Sequence, residues 1–246
     1  MSVFFLTFIA TVFTFSMTAA GSAMVFFFKA EIPDWLHRLF LGFASGVMIA
    51  ASIWSLLIPS MEQALQLGLL EWLPAAGGFL SGGLFLLLLE RYFLKISPEK
   101  TAFLQTTPLL ARNLLLIFAI TMHNIPEGMA VGLAWPIALG IGIQNFPEGA
   151  AVALPLRKSG LSRSKAFLLG SSTGLVEPIF GLLTLLLAKQ ITILMPWLLA
   201  FAAGAMIYVV VEELIPEAHD ETHSVTSILG FIIGFLLMMI LDVSLG

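Results

Sequence analysis

The sequence predicts an all-α, polytopic membrane protein with about eight transmembrane helices and both termini outside. Three observations carry that reading. Of the 246 residues, 59% are hydrophobic and only 11% are charged, with a mean hydropathy of +1.02. A soluble domain is roughly 45–50% apolar and about 25% charged. The apolar residues also fall into runs close to the ~20 residues that cross a hydrocarbon core of about 30 Å. Finally, the basic residues cluster on alternate connections between those runs. Eleven basic and fifteen acidic residues cannot clothe a soluble surface of this size, which excludes a cytosolic enzyme, a nucleic-acid binder and a disordered chain. With no cysteine, disulfides and thiolate metal sites are excluded as well.

The eight apolar segments span about 2–28, 39–61, 73–90, 113–134, 136–156, 166–188, 191–215 and 225–245. Leu, Phe, Ala, Ile and Gly dominate each of them, and the absence of strand-length alternation argues against a β-barrel. No basic residues precede the first run, so it reads as a retained helix and not a cleaved signal peptide. The connections are too short to separate domains, so residues 1–246 read as one polytopic helical membrane unit. Ten of the eleven basic residues lie on the first, third and fifth connections: Lys29 and Arg38; Arg91, Lys95, Lys100 and Arg112; Arg157, Lys158, Arg163 and Lys165. These connections should be cytoplasmic, leaving Lys189 outside. His37 and Glu90 read as interfacial residues at cytoplasmic helix ends. Small residues four apart, at Gly128/Gly132, Gly170/Gly174, Ala200/Gly204 and Gly230/Gly234, read as helix-packing positions.

Against this background the polar residues inside the fourth and fifth segments need a reason. A charge at the centre of a membrane helix costs about 2.5–3.5 kcal/mol on insertion scales. The fourth segment holds His123-Asn124-Ile125-Pro126-Glu127-Gly128 and the fifth holds Gln144-Asn145-Phe146-Pro147-Glu148-Gly149, one pattern repeated 21 residues apart. The two hexapeptides are symmetric about the Trp135-Pro136 turn, each ~16 Å from it at 1.5 Å per residue, so both should lie near the midplane. The i, i+3 and i, i+4 spacings put His123, Asn124 and Glu127 on one helix face, and Gln144, Asn145 and Glu148 on another. Pro126 and Pro147 free the carbonyls of Met122 and Ile143, and each Gly after the Glu lets a neighbour approach.

Interhelical hydrogen bonding alone would explain a single Asn or Gln. Two carboxylates at one depth repel each other and are costly to bury, a conflict that a divalent cation removes. Glu177, followed by Pro178 in the middle of the sixth segment, adds a third intramembrane carboxylate. Met48 lies mid-span in the second segment, where a methionine ordinarily packs. The seventh segment ends Glu212-Glu213-Leu214-Ile215-Pro216-Glu217, with His219 and His223 beyond, an acidic, histidine-bearing mouth on the cytoplasmic side.

These residues resemble the ZIP family, the zinc/iron-regulated-transporter-like divalent-metal transporters, and its bacterial branch in particular. The resemblance rests on the two Asn-x-Pro-Glu-Gly motifs, Val176-Glu177-Pro178 and Glu213-Leu-Ile-Pro-Glu217, and it extends over all eight segments. It implies inward passage of Zn²⁺ or related ions through a binuclear centre. One site would use His123, Glu127, Gln144 and Glu148, with Met48 nearby. The other would use Asn124, Glu127, Asn145, Glu148 and Glu177, the glutamates at 127 and 148 bridging, and Glu213 would lie on the exit route. The chain departs from many eukaryotic members of that family in having Gln144 where they carry His, and from many members with a His-rich connection between the third and fourth helices in having no His between Arg91 and Arg112.

The N and O donors suit Zn²⁺, Fe²⁺, Mn²⁺, Co²⁺ and Cd²⁺ better than Cu⁺. The sequence-based expectation is therefore uptake of divalent metal, Zn²⁺ first, by alternating access, in a multi-pass protein of the cell's inner or plasma membrane. The metal is cargo and no cofactor is expected. The partners are metal ions and the bilayer, not nucleic acid, with the oligomeric state left open between one chain and a homodimer. A selective channel with the same site is the nearest alternative. An intramembrane metalloenzyme fits less well, because no His-Glu-x-x-His motif is present.

Overall fold

The computed structural model describes residues 2–27, 33–100, 108–133, 135, 138–219 and 225–245, and among these no strand occurs. The helices are α1 (Val3–Ser22), α2 (Asp34–Ala51), α3 (Ile58–Gln66), α4 (Trp72–Lys100), α5 (Pro108–Leu133), α6 (Ala138–Lys158), α7 (Arg163–Gly174), α8 (Val176–Ile191), α9 (Met195–Val209), α10 (Ile215–Ala218) and α11 (Val225–Leu245). Several of these are pieces of longer rods. A wide π turn over Ser52–Leu57 joins α2 to α3, and another over Val210–Leu214 joins α9 to α10. Leu175 alone separates α7 from α8.

Proline chemistry accounts for these interruptions. Pro59 and Pro216 have no N–H to return to Ser55 and Glu212, so the helix widens just ahead of each. There Ile58 N–H reaches the Ile53 carbonyl and Ile215 N–H reaches that of Val210, five residues back. Pro178 likewise cannot bond the Gly174 carbonyl. The chain tightens at Leu175, whose N–H donates to the Ser172 carbonyl at 3.2 Å, and Glu177 comes to lie in the first turn of α8.

The lipid-like character of the surroundings shows in which face is buried. Phe4, Phe5, Phe8 and Phe13 of α1 point outward, whereas Thr7, Thr11, Thr14, Thr18 and Ser22 are buried. The threonine hydroxyls survive burial by bonding backward to their own helix: Thr11 Oγ1 donates to the Thr7 carbonyl at 3.0 Å and Thr14 Oγ1 to the Thr11 carbonyl at 2.9 Å. Among the described residues, six helical rods are long and apolar enough to cross a membrane: Val3–Phe26, Asp34–Gln66, Trp72–Leu89, Arg163–Leu187, Met195–Ala218 and Val225–Ser244. The chain is thus a multi-pass helical membrane protein.

Close backbone contacts fix the direction in which helices pair. A Cβ on Gly42 would strike Ser227 and one on Gly46 would strike Phe231, while Gly230 faces Leu39 and Gly234 faces Phe43. Both numberings rise together, so α2 and α11 run parallel. By the same test α5 and α8 are parallel, with Gly128 against Glu177 and Gly132 against Gly181. So are α4 and α9, with Gly78 against Ala200 and Gly82 against Phe201 and Ala205. In α1 and α6, Phe13 meets Gly142, Asn145 bonds the Thr14 carbonyl, and Ser22 bonds the Gly149 carbonyl, again in rising order. The four small-residue pairs singled out in the sequence are all packing positions: Gly170 and Gly174 meet Ser22 and Thr18, and Gly204 meets Phe79. The most extensive helix contacts are α2 with α11, α4 with α9, α1 with α6 and α5 with α8.

Several helices extend beyond the apolar runs: helical structure begins at Asp34 where the run suggested 39, already includes Pro108 where it suggested 113, and reaches Lys100 where it suggested 90, whereas α9 begins at Met195, inside the run that suggested 191. Apolar periodicity marks only the part of a helix in lipid, and polar extensions continue the backbone hydrogen bonding beyond it.

Candidate intramembrane metal site

The two repeated motifs meet. α5 supplies His123, Asn124 and Glu127; α6 supplies Gln144, Asn145 and Glu148; α8 supplies Glu177. All seven side chains are buried, none more than 3% exposed. His123, Glu127 and Glu148 each offer one ligand atom, and these atoms all lie within 4.8 Å of one another. His123 Nε2 is 3.0 Å from Glu127 Oε1. The i, i+4 spacing seen in the sequence produces that distance directly.

Glu177 is held differently. Asn145 Nδ2 donates to both of its oxygens at 2.9 Å and to the Thr14 carbonyl at 3.3 Å. Thr18 Oγ1 donates to Glu177 Oε1 at 3.4 Å. The glycine that follows each motif glutamate allows this assembly. A Cβ on Gly128 would lie 2.6 Å from Glu177 Cα, so only glycine lets α8 bring Glu177 beside Glu127. A Cβ on Gly149 would strike the Thr18 carbonyl and hold α1 away.

What distinguishes this cluster from ordinary helix packing is its unmet bonding capacity. Buried polar groups are normally paired, and one left unpaired costs about 1–3 kcal/mol. Here Nδ1 of His123, both amide atoms of Asn124, Glu127 Oε2, Gln144 Oε1, Asn145 Oδ1 and Glu148 Oε1 are buried without a hydrogen-bond partner among the protein atoms, while His123 Nε2 faces Glu127 Oε1. Oxygen acceptors and imidazole nitrogen from two helices therefore converge with their lone pairs uncommitted. That donor set suits a divalent transition-metal cation.

The remaining sequence candidates are placed less tightly. Met48 is buried in α2, which packs against α6, the helix of Gln144 and Glu148. The side chain of Glu213 lies outside the described residues, and its backbone belongs to the π turn Val210–Leu214. Glu90's side chain, and all of Asp220 to Ser224 including His223, also lie outside them. His37, at the start of α2, is buried by neighbouring helix ends, with Nε2 3.7 Å from Glu217 Oε1. Its partner comes from the far end of the chain, which local sequence does not reveal.

Sequence reasoning missed the contribution of α1. Thr14 and Thr18 both reach the Glu177–Asn145 pair, and the spacing of Thr7, Thr11, Thr14, Thr18 and Ser22 along one face of a Phe-rich helix was the available signal. Thr18→Val keeps the shape and removes the hydroxyl. This variant should lower the affinity of the cluster for a divalent metal, read by equilibrium dialysis, by up to ~10-fold at unchanged expression, in the range of lost outer-shell partners. Unchanged affinity would show the bond to be incidental.

Together these features define a multi-pass membrane protein with a buried carboxylate–imidazole–carboxamide cluster between its helices. The family model for the ZIP zinc transporters matches residues 98–242. The chain is 37% identical to the zinc transporter ZIP11 of Xenopus tropicalis, over 97% of this chain and 96% of that protein. It is 39% identical to the zinc transporter GufA of Myxococcus xanthus, over 89% and 88%, and 38% identical to the zinc transporter ZIPB of Bordetella bronchiseptica, over 94% and 79%. The chain belongs to the ZIP zinc transporter family.

Proposed function

We propose that this protein carries divalent transition-metal ions, zinc foremost, across a cell membrane by alternating access around the cluster of His123, Asn124, Glu127, Gln144, Asn145, Glu148 and Glu177. Transport of zinc agrees with the names of its relatives. The observation that carries the residue assignment is the convergence of buried, unpaired donor atoms from both repeated motifs.

In this reading His123, Glu127, Gln144 and Glu148 bind one ion, with Met48 at its edge. Asn124, Asn145 and Glu177 complete a second site that shares Glu127 and Glu148. Three carboxylates carry a formal charge of −3, so one divalent ion leaves −1 and two leave +1. Weak overall charge in either state suits a carrier, which must release what it binds. Glu213 serves the exit route. The helices that carry the motifs move against the rest of the bundle, exposing the site to each side in turn.

Residues 1–246 act as a single transmembrane unit with eight spans and both termini outside, in the inner or plasma membrane. The parallel pairings support the parity of that topology. Counting α2–α3, α7–α8 and α9–α10 as single spans, they join the first with the fifth, the second with the eighth, the third with the seventh and the fourth with the sixth. Each is odd with odd or even with even, as strict alternation across a membrane requires. At ~1.5 Å per residue, the 26 residues of α5 and 21 of α6 are also long enough to cross.

A competition assay on purified protein in proteoliposomes tests the cargo. Unlabelled Zn²⁺ should displace radioactive zinc uptake more effectively than Fe²⁺, Mn²⁺ or Cd²⁺, and flux should saturate with rising metal. Flux that stays linear would favour a channel with the same ligands. Metal stoichiometry tests the two-ion centre: the unaltered chain should hold one central ion more than Glu177→Gln. Equal stoichiometry in the two would leave a single central site.

A further inference from the structure

A second group of metal-ligating side chains lies away from the central cluster, where the start of α2, the end of α6 and α10 come together. Asp34, His37, Arg38, Lys158, Glu217 and His219, beside Pro216, line a pocket of about 420 Å³ there. His37 is the unusual member. It is buried at 2% exposure, and its Nε2 has no hydrogen-bond partner among the protein atoms. That nitrogen is 3.7 Å from Glu217 Oε1, whose side chain is 17% exposed.

The distance discriminates between two explanations. It is too long for a hydrogen bond, since even the longest ones reach only about 3.5 Å. It is the right length for two ligands of one ion. With zinc–nitrogen and zinc–oxygen bonds of about 2.05 and 2.1 Å, a 3.7 Å separation subtends an angle of about 126°, within the range of a distorted tetrahedron. We propose that His37 Nε2 and Glu217 Oε1, with the more exposed His219 as a third ligand, form a divalent transition-metal site separate from the central cluster, which receives the ion at the cytoplasmic mouth.

The electrostatics make this a weak site. Among the described residues lining the pocket, the formal charges of Asp34 and Glu217 are balanced by those of Arg38 and Lys158, and Lys158 Nζ lies 3.6 Å from Asp34 Oδ1. An arriving cation gains nothing from net charge and is held by its ligands alone, with the remaining coordination open to water. An open coordination position is what a release site requires, in contrast to the closed shell of a structural ion. The site goes beyond the transport reading, and binding there can be measured without transport.

The test is equilibrium dialysis of the purified full-length chain against zinc alone. In a Glu127→Ala/Glu148→Ala background, one zinc per chain should remain, and His37→Gln or Glu217→Gln should weaken that binding by at least ~10-fold. No zinc in the double variant, or residual binding indifferent to both further changes, overturns the proposal. Should the double variant fail to fold, the loss of one zinc on introducing Glu217→Gln into the otherwise unaltered chain reads the same site, and an unchanged stoichiometry rejects it. Failure of the central-site assignment would appear separately, as zinc uptake that survives Glu127→Ala and Glu148→Ala.

Discussion

Glu127→Ala and Glu148→Ala should each reduce zinc uptake into proteoliposomes to the background of empty vesicles. Each removes one of the three residues whose donor atoms lie within 4.8 Å of one another, and each removes a ligand that the proposed centre uses twice. Loss of an outer-shell partner typically costs 10–100-fold in metal affinity or activity. Loss of a bridging ligand should exceed that, because it strips one of the two shared carboxylates from both proposed positions at once. The same substitutions remove a buried carboxylate with an unpaired oxygen, Oε2 of Glu127 or Oε1 of Glu148, so they relieve a folding cost. Both variants should therefore remain monodisperse in detergent and melt no lower than the unaltered chain. Dead transport in a stable protein is the expected pairing. Near-normal uptake in both variants would remove the cluster from the transport path.

The parts of this molecule that were legible in the sequence share a physical reason. Lipid makes every buried charge expensive, so Glu127, Glu148 and Glu177 stood out against their neighbours, and the period of the helix placed His123 and Asn124 beside Glu127 without any tertiary information. Gly128 and Gly149 were readable as positions of approach because glycine beside a helix-breaking proline has few other uses in a membrane span, and the structure puts Glu177 and Thr18 against them. Other features were hidden for equally physical reasons. Whether a threonine in a membrane helix bonds only its own backbone or also a neighbour is not decided by its own sequence, and Thr18 does both: it bonds the Thr14 carbonyl at 3.4 Å and Glu177 at 3.4 Å. Ser55 Oγ donates to Asp242 Oδ1 at 2.8 Å, a pairing between distant parts of the chain that no periodicity records. His37 was assigned by its position near a helix end, but its cover there by helix ends distant in sequence is a fact of tertiary packing.

Gly149→Ala should destabilise the protein and impair transport together, whereas Gly140→Ala on the same helix should do neither. The two glycines are nine residues apart in α6, and alanine is the better helix former at both by about 0.8–1.0 kcal/mol. Their surroundings decide the sign. A Cβ on Gly140 meets nothing within 4 Å, so the substitution keeps its intrinsic gain. A Cβ on Gly149 strikes the backbone carbonyl of Thr18, and Gly21 faces the Phe146 carbonyl in the reciprocal direction. Neither obstacle is a side chain that can rotate away, so α1 must move off α6. Overpacking of this kind costs about 1–3 kcal/mol. The displacement also has a functional consequence, because Thr18 and the Thr14 carbonyl reach Glu177 and Asn145 from α1. Separating the helices loosens the second proposed metal position. Gly149→Ala should thus lower the midpoint of thermal unfolding in detergent by several degrees and cut zinc uptake, while Gly140→Ala keeps both. Equal behaviour of the two variants would mean that the α1–α6 contact bends without cost, and that α1 does not position the site.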